Sequence, residues 1–323
     1  MRSSSLARPR VLLSGPIDPD GERLIAEVAE VILAPDAQPQ TLRRLIADAD
    51  VLVVRSALPA DLLDDAPRLR GIVRHGVGVD MIPMAAANAR RIPVANVPGS
   101  NRHAVAEHAI GAVSLLRRRT ARMDALLRHT GWDASRALAD GAGELHGQWL
   151  GIVGVGGVGT RIAEIAHHGY GMRVLGHQRR LDALPAFVEA ATLDDLLVRS
   201  DAVVLACPLT DATRGLIDAR RLSLMPSHAV LVNVARGAVV VEDALVAALR
   251  EHRIGGAALD VFATQPLPAG HPLLALDNVL LTPHAAGLTR QSMRCMSLGT
   301  AEEVRRLLSG QLPRNLVNAA ALR

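Results

Sequence analysis

The sequence predicts an α/β protein built from two doubly wound parallel sheets, and three observations support this fold class. The 323 residues are enough for roughly two domains of ~100–200 residues each. Short apolar runs alternate with helix-like stretches along most of the chain, a pattern typical of parallel βαβ units with buried strands. A second series of this kind begins at Trp149, and its first strand leads directly into a glycine-rich turn.

The first βαβ series occupies the N-terminal third of the chain. Its runs rich in Val, Ile and Leu favour strands that are buried on both faces. The predicted strands are Arg10–Ser14, Val31–Leu33, Val51–Arg55, Gly71–Arg74 and Pro93–Val97, and the predicted helices are Asp20–Ala29 and Thr41–Asp48. This first series therefore predicts one parallel sheet with its own helices.

A long helix and a second βαβ series follow. The helix is predicted from about Asn101 to Arg119, and the arginines at its end suit the negative pole of the helix dipole. The later predicted strands are Leu150–Val153, Arg173–Leu175, Ala202–Ala206, Val230–Val232, Ala257–Leu259 and Val279–Leu281, and the helices are Gly157–Gly169 and Gln291–Leu308. The second series predicts a second parallel sheet.

The composition excludes several classes of function. All 36 cationic side chains are arginine, so Schiff-base, pyridoxal and Walker-type phosphate-loop chemistry, which need lysine, are excluded. A net charge of only +4 and the presence of 2 Trp, 1 Tyr and 2 Phe argue against a nucleic-acid partner. Two cysteines fit a reducing compartment, and no apolar run reaches the ~18–20 residues of a membrane span. We expect a cytoplasmic protein with no membrane or nucleic-acid partner and no metal site.

The turn after the strand at Leu150–Val153 has the spacing of a dinucleotide-binding motif. Gly154, Gly156 and Gly159 form G-x-G-x-x-G, with Gly157 and Val158 between them and a predicted helix directly after. The first glycine allows a tight turn, the second lets the backbone approach a pyrophosphate, and the third lets the helix pack on the strand. The alternative is a glycine-rich turn of an α/β fold without a nucleotide, and the strand–turn–helix setting favours NAD(P).

The strand after this turn lacks the acidic residue that usually binds the ribose hydroxyls of NAD. Its end is followed by Gln178, Arg179 and Arg180. Arginine matches the 2′-phosphate of NADP in charge and in hydrogen-bonding geometry. The sequence therefore predicts a preference for NADPH, and the alternative is a pair of solvent-facing arginines beside NAD.

A series of short motifs gives the chain its resemblance to a known family. The motifs are Gly76–Asp80, Val97–Ser100, Val105–His108, Gly154–Gly159, Cys207–Thr210, Asn233–Gly237, Leu259–Phe262 and Thr282–His284. In this order and spacing the chain resembles the D-isomer-specific 2-hydroxyacid dehydrogenases, which include phosphoglycerate dehydrogenases and hydroxypyruvate/glyoxylate reductases. The resemblance covers nearly the whole chain.

The resemblance implies a split domain organisation. Residues 1–99 and 286–323 are expected to form a flavodoxin-like substrate-binding (catalytic) domain, and residues 100–285 a Rossmann NAD(P)-binding domain inserted in it. The family's active site lies in the cleft between its two lobes. The family usually forms dimers through the nucleotide lobe, so we expect a homodimer.

The resemblance also implies roles for individual residues. Arg236 follows a strand end, and its guanidinium is expected to bind the carboxylate of a 2-keto acid and to polarise the keto oxygen. His284 is expected to donate the proton during reduction and to accept it during oxidation. Asp260 resembles the aspartate that contacts the nicotinamide end of the cofactor, with a helix cap or turn residue as the alternative.

Further binding residues follow from the same motifs. The backbone amides of Gly76, Val77 and Gly78 are expected to receive the substrate carboxylate. Arg55, Ser56 and Arg74 are expected to bind the substrate as well, since such arginines help bind a phosphate in phosphoglycerate-type relatives; ordinary surface charges are the alternative. The remaining expected cofactor contacts are Cys207, Pro208, Thr213, Val234, Ala235 and Gly287.

One residue departs from the family pattern. Gln265 stands before Pro266, where the family has a glutamate that pairs with the catalytic histidine. A carboxylate beside histidine raises its pKa because it stabilises the imidazolium, whereas a neutral amide can only orient the ring. We therefore expect His284 to lose its proton at a lower pH than the histidine of glutamate-bearing relatives.

The function predicted from these residues is NAD(P)-dependent interconversion of a small 2-keto acid and its D-2-hydroxy acid by hydride transfer. Gln265 leaves two alternatives open. One is a nucleotide-sensing, corepressor-like regulator, because one catalytic residue has changed. The other is an enzyme like formate dehydrogenase, which also uses a Gln–His pair and needs no proton shuttle. Retention of Arg236 and His284 argues against the regulator. The short N-terminal region, which lacks the extra length typical of formate dehydrogenases, argues against the second alternative.

Overall fold

A computed structural model describes residues 8–323, and the chain divides into two compact units. Unit 1 contains the N-terminal segment up to Asn101 together with Leu288–Arg323, and unit 2 contains Arg102–Gly287. Both boundaries lie two residues later in the chain than the expected ones. The first seven residues of the expected N-terminal lobe lie outside the described part.

Unit 1 is a five-stranded parallel sheet with helices on both faces. The strands are β1 (Arg10–Leu13), β2 (Glu30–Leu33), β3 (Val51–Val54), β4 (Gly71–Arg74) and β5 (Val94–Ala95). The helices are α1 (Pro19–Ala26), α2 (Pro39–Ile46), α3 (Met84–Ala89) and, from the C-terminal part of the chain, α11 (Arg290–Leu308). The strand order is β2-β1-β3-β4-β5, the order of a flavodoxin-like sheet.

Alternating side chains of these strands build two separate cores. Leu12 and Leu52 point to the face that α2 covers with Leu42. Val11 and Val53 point to the opposite face, where α1 and α11 pack. Since both faces are covered, the strand interiors are apolar, as the sequence predicted, and the charged residues Arg10, Glu30 and Arg74 lie at strand ends.

Unit 2 is a seven-stranded parallel sheet, also with helices on both faces. The strands are β6 (Trp149–Val153), β7 (Arg173–His177), β8 (Val188–Ala190), β9 (Ala202–Leu205), β10 (Val230–Asn233), β11 (Gly256–Leu259) and β12 (Val279–Leu281). The helices are α4 (Arg102–Arg117), α5 (Thr120–Thr130), α6 (Trp132–Ala137), α7 (Gly157–Glu164), α8 (Leu193–Arg199), α9 (Ala219–Leu222) and α10 (Glu242–Arg250). The order β12-β11-β10-β9-β6-β7-β8 reverses between β6 and β9, as in a Rossmann fold. The predicted class of two doubly wound parallel sheets is confirmed.

The long helix α4 ends earlier than the sequence predicted. It stops at Arg117 instead of Arg119, because Arg119 adopts a left-handed backbone with φ 55°, which no α-helix contains. A second helix, α5, begins at Thr120, and α6 follows it. The sequence did not predict these two helices.

The predicted helix Gly157–Gly169 is α-helical to Glu164 and continues as a π-helical turn over Ile165–Gly169. Such turns are single insertions in otherwise regular helices. None of the helices within residues 8–323 has the length and apolarity needed to cross a membrane.

Candidate active site

The glycine-rich turn joins β6 to α7, and two of its glycines are required by close packing. A Cβ on Gly154, whose φ is 95°, would lie 2.6 Å from the Cα of Cys207. A Cβ on Gly159 would lie 2.1 Å from the carbonyl oxygen of Gly154. These contacts fit the tight turn and the close helix–strand approach that the motif predicted.

The other glycines of the turn face open space. A Cβ on Gly156 or on Gly157 would meet no atom within 4 Å. α7 begins at Gly157, so the free amides of its first turn border this space together with the positive end of the helix dipole. The turn therefore has the room and the donors that a pyrophosphate needs, and a dinucleotide fits it.

Several expected cofactor residues lie at the carboxyl ends of strands next to this turn. Cys207 follows β9 and is buried, and burial raises the pKa of its thiol. The Thr213 hydroxyl donates to the Pro208 carbonyl at 2.7 Å and accepts from the Thr210 amide at 2.8 Å. These bonds fix the loop after β9. Val234 and Ala235 follow β10, the next strand of the sheet, and Val158 lies in the first turn of α7.

The end of β7 carries no carboxylate. The strand ends at His177, whose Nδ1 lies 3.1 Å from the Ala191 carbonyl oxygen. The Gln178 side chain donates to the Arg180 carbonyl at 2.7 Å, which closes a tight loop. Arg179 and Arg180 are both exposed.

Arg236 is positioned by a buried asparagine at the end of β10. The Asn233 side chain donates to the Arg236 carbonyl at 3.0 Å and accepts from the Ala235 amide, also at 3.0 Å. The Arg236 guanidinium donates to the Ala235 carbonyl at 2.7 Å. A Cβ on Gly237 would lie 2.0 Å from the carbonyl carbon of Phe262. Only glycine allows this approach, which brings the Arg236 loop against the loop after β11.

His284 and Gln265 form a hydrogen-bonded pair in unit 2. His284 Nδ1 lies 3.0 Å from Gln265 Oε1, and Gln265 Nε2 makes a long 3.5 Å bond to the Phe262 carbonyl. Because this second bond uses the amide nitrogen, the amide oxygen faces the ring, and Nδ1 must carry a hydrogen. The other ring nitrogen, Nε2, is then the atom that can gain or lose a proton.

Asp260 fixes the segment that carries His284. Its buried carboxylate accepts from the Thr282 hydroxyl at 2.6 Å and from the amides of Ala285 and Ala286 at 2.8 and 3.0 Å. The His284 amide donates to the Asp260 carbonyl at 2.8 Å, and His284 itself has a left-handed φ of 54°. Asp260 thus holds a strained histidine in place. Gly287 follows at the end of this segment.

Sequence reasoning missed two residues that support the Gln265 loop. Glu242, at the start of α10, accepts from the Ala263 amide at 3.0 Å. His271 Nε2 lies 3.2 Å from the other oxygen of Glu242. The sequence offers no local signal for these contacts, since Glu242 lies 21 positions from Ala263.

The predicted substrate residues of unit 1 lie around the ends of β3 and β4. The Arg74 guanidinium donates to the carbonyls of Val54 at 2.9 Å and Gly78 at 3.1 Å, so it braces the Gly76–Gly78 loop. Gly76 has a φ of 138°, which favours glycine, and Val77 is 38% exposed.

Arg55 and Ser56 follow β3. The Arg55 amide donates to Ser14 Oγ at 2.8 Å, and Ser56 Oγ lies 3.4 Å from the same hydroxyl. The Arg55 guanidinium points instead toward His75. No group of three or more His, Cys, Asp or Glu side chains within residues 8–323 is placed to hold a metal ion.

Comparison with known proteins identifies the class of protein that this fold and site define. The family model described as D-isomer specific 2-hydroxyacid dehydrogenase, NAD binding domain, matches residues 110–286. A glyoxylate reductase of Aeropyrum pernix is 38% identical over 328 aligned positions, covering 97% of both chains. A D-3-phosphoglycerate dehydrogenase of Methanocaldococcus jannaschii is 36% identical over 96% of this chain, which spans 59% of that relative's length.

Solved structures agree with these matches. A Thermus thermophilus protein superposes with a TM-score of 0.87 at 35% identity, covering 95% of this chain and 99% of that one. An NADPH-dependent glyoxylate/hydroxypyruvate reductase from Sinorhizobium meliloti, in complex with NADP and malonate, gives 0.85 at 30% identity, covering 98% and 99%.

The chain belongs to the D-isomer specific 2-hydroxyacid dehydrogenase family. The prediction of an NAD(P)-dependent oxidoreductase acting on CH–OH donors is confirmed at this level. The matches do not favour the alternative of a nucleotide-sensing regulator.

Proposed function

We propose that this enzyme reduces a small 2-keto acid, of the size of glyoxylate or hydroxypyruvate, to its D-2-hydroxy acid. The observation that carries the proposal is the 3.0 Å bond between Gln265 Oε1 and His284 Nδ1. This bond leaves His284 Nε2 as the single ring atom for proton transfer. Arg236 follows β10, which pairs with β11, the strand before Gln265. Its guanidinium would bind the substrate carboxylate.

Each residue has a separate part in the reaction. Arg236 holds the carboxylate by paired N–H bonds and so orients the carbonyl carbon for attack. His284, protonated on Nε2, donates a hydrogen bond and then the proton to the keto oxygen as charge develops there. Gln265 keeps the ring orientation fixed while the charge on His284 changes. When bound, a dinucleotide would supply the hydride, and the glycine turn Gly154–Gly159 would hold its pyrophosphate.

We propose that NADPH is the preferred cofactor. Support comes from the exposed Arg179 and Arg180 after β7 and from a strand end formed by His177 and Gln178 instead of a carboxylate. A 2′-phosphate gains charge-assisted bonds from such guanidinium groups. The Sinorhizobium meliloti relative, 30% identical, holds NADP in its structure.

In unit 1 we propose that the amides of Gly76, Val77 and Gly78 receive an anionic group of the substrate. The Arg74 guanidinium stabilises this loop by donating to the Gly78 and Val54 carbonyls, and Val77 is exposed. We also propose that Arg55 and Ser56 bind the substrate.

We propose that the enzyme is a homodimer and that a second copy of the chain covers an apolar groove beside α5. This groove, the α5 groove, has a volume of about 640 Å³, and its apolar lining includes Leu115, Leu116, Ala125, Leu126, Ile254 and Leu280, next to charged and polar side chains such as Arg119, Arg122 and Asp277. None of the 11 residues of α5 is buried, and Trp132 is 67% exposed in the next helix. An uncovered apolar surface of this kind is typical of a subunit interface.

We also propose a cytoplasmic location. The free cysteines Cys207 and Cys295 support it, because thiols stay reduced in that compartment.

The proposed activity is tested by following cofactor absorbance with glyoxylate, hydroxypyruvate and 3-phosphohydroxypyruvate, each with NADH and with NADPH. Formate with NAD⁺ and NADP⁺ completes the panel. We expect turnover of at least one keto acid and its loss, by about a thousandfold, in His284→Asn and Arg236→Gln. The matched control is Arg250→Gln, which removes an exposed arginine at the end of α10. Cofactor binding without turnover of any keto acid would contradict the proposal.

A further inference from the structure

A chain of hydrogen bonds in unit 1 leads from the core to the Arg55 guanidinium. Arg55 Nη1 lies 3.1 Å from His75 Nδ1, and His75 Nε2 lies 2.8 Å from the hydroxyl of Ser297 in α11. The same hydroxyl accepts from the Asp18 amide at 2.8 Å. His75 is 2% exposed and Ser297 is fully buried, so the chain is fixed from within the unit.

The chemistry of the groups sets the direction of each bond. A guanidinium has donors only, so His75 Nδ1 must be the acceptor, and its hydrogen lies on Nε2. His75 Nε2 then donates to Ser297, whose oxygen has a second lone pair for the Asp18 amide. The ring is therefore neutral in this arrangement. Burial, with added repulsion from Arg55 and Arg74, lowers the pKa of His75 to about 3.

Arg55 differs from the paired arginines of the same unit. Arg43, for example, makes ion pairs of 2.7 and 3.0 Å with Asp61 and Asp65. Within residues 8–323, no Asp or Glu oxygen lies within the 4.0 Å of an ion pair from Arg55. Among the described residues, the Arg55 guanidinium hydrogen-bonds to His75 and to Met293 Sδ, the latter at 3.3 Å, and both bonds use Nη1. Burial lowers the pKa of Arg55, as expected for a cation without a carboxylate.

A neutral acceptor has an effect that a carboxylate could not have. It fixes the direction of the guanidinium but leaves the positive charge uncompensated, so the charge remains for an incoming anion. The Nε and Nη2 hydrogens of Arg55 have no acceptor in the described part of the chain and stay available for the same anion. Partial burial without an internal counter-ion is costly unless a ligand provides one.

We propose that His75 is a positioning residue that aims Arg55 at an anionic group of the substrate. The proposal deepens the proposed function, since the anion would be a carboxylate or phosphate of the keto acid. His75 does not touch the substrate and acts through Arg55. The sequence alone did not single out His75.

The test measures binding of oxalate, a dianion with no reducible carbonyl, to the full-length protein with NADPH by calorimetry. The variants are His75→Leu, His75→Asn, Arg55→Gln and the double variant Arg55→Gln/His75→Leu, with Arg44→Gln as the control for loss of an exposed arginine in unit 1. We expect His75→Leu to weaken oxalate binding about tenfold, a loss of ~1.4 kcal/mol. His75→Asn should lose less than about threefold, because its amide oxygen overlays Nδ1 and keeps the acceptor.

The double variant separates positioning from a general structural effect. If His75 acts through Arg55, His75→Leu causes no further loss once Arg55 is glutamine. Equal losses in both backgrounds, or unchanged affinity in His75→Leu, would overturn the proposal. Thermal unfolding identifies a variant that fails to fold. If His75→Leu does not fold, the oxalate affinity of His75→Asn is compared with that of the wild type, and a loss of more than about threefold would contradict the proposal.

Kinetics provide an independent reading. In keto-acid reduction we expect His75→Leu to raise KM about tenfold and to change kcat less than about twofold. If the wild type reduces no keto acid but the oxalate pattern is found, the proposed function fails and the role of His75 stands. If keto acids are reduced but the losses of oxalate affinity in His75→Leu and Arg55→Gln add up in the double variant, the proposed function stands and the role of His75 fails.

Discussion

Gln265 Oε1 accepts a hydrogen bond from His284 Nδ1 over 3.0 Å, in the position where the family resemblance predicts a glutamate. The amide is held by the Phe262 carbonyl, so it orients the ring as a carboxylate would. It supplies no negative charge. The pair therefore separates two properties that a glutamate combines, ring orientation and stabilisation of the imidazolium.

Replacing Gln265 with glutamate should extend keto-acid reduction to higher pH. In the proposed mechanism reduction needs protonated His284. An adjacent carboxylate stabilises the protonated ring, so the protonated form should persist to higher pH. We expect the alkaline limb of the kcat/KM profile to move up by about one pH unit. Gln311→Glu adds the same charge at an exposed site in unit 1 and should leave the profile in place. An unmoved profile in Gln265→Glu would refute this account of the pair.

The glycine turn offers a comparison between folding and cofactor binding. Alanine at 159 would press its Cβ against the Gly154 carbonyl oxygen and should destabilise the protein by about 1–3 kcal/mol. Alanine at 156 meets no atom within 4 Å and should leave stability within ~0.5 kcal/mol of the wild type. It should still weaken NADPH binding about tenfold, because the methyl group enters the space proposed for the pyrophosphate. Thermal unfolding and fluorescence titration measure the two effects, and unchanged NADPH affinity in Gly156→Ala would place the pyrophosphate elsewhere.

Replacing Arg179 and Arg180 together with glutamine should change cofactor preference. We expect KM for NADPH to rise about tenfold, since a charge-assisted bond contributes ~1.5–3 kcal/mol, while KM for NADH changes less than about twofold. Arg173→Gln, at the opposite end of β7, is the matched control and should affect neither. Equal effects on both cofactors would show that the arginines do not bind the 2′-phosphate.

A charge in the α5 groove should separate the proposed dimer. Ala125 is exposed and lines the groove, so Ala125→Asp adds a charge without removing a packed side chain. We expect it to sediment as a monomer of 34.2 kDa, and we expect the wild type to sediment at twice that mass. Tyr170→Asp introduces the same charge at another exposed apolar site, 41% exposed, and should remain dimeric. A monomeric wild type would contradict the proposed dimer directly.

Most strands were predictable from the sequence because they are short apolar runs, and central strands such as β3 and β9 are buried on both faces. β12 has the predicted bounds, Val279–Leu281. β3 ends one residue early because the Arg55 amide bonds to the Ser14 hydroxyl instead of continuing the ladder. β7 runs two residues further than predicted, since Val153 pairs with His177. These differences depend on contacts with other segments, which a local pattern does not contain.

α5 was missed for a different physical reason. An amphipathic pattern indicates a helix when one face is buried, and α5 has no buried face. In the proposed dimer a second copy of the chain would cover its apolar side chains. The break before it depends on the left-handed Arg119, which is an uncommon conformation for a residue with a side chain.

The candidate site was predictable where backbone geometry demands a residue type and unpredictable where distant groups meet. Gly154 and Gly159 leave a signature within six residues. The contact between Glu242 and Ala263 joins positions 21 residues apart, and His75 meets Ser297 from the far end of the chain. Neither pair produces a local pattern that could be recognised before folding.

The close approach of Gly237 to Phe262 has a consequence for evolution and engineering. A Cβ on Gly237 would lie 2.0 Å from the Phe262 carbonyl carbon. The segment bearing Arg236 therefore packs directly against the segment bearing Gln265, and the two should move together. Exchange of the 262–266 segment for that of a glutamate-bearing relative should preserve the direction of Arg236 as long as Gly237 is retained. Position 265 should therefore tolerate exchange without displacing the guanidinium that we propose for the substrate carboxylate.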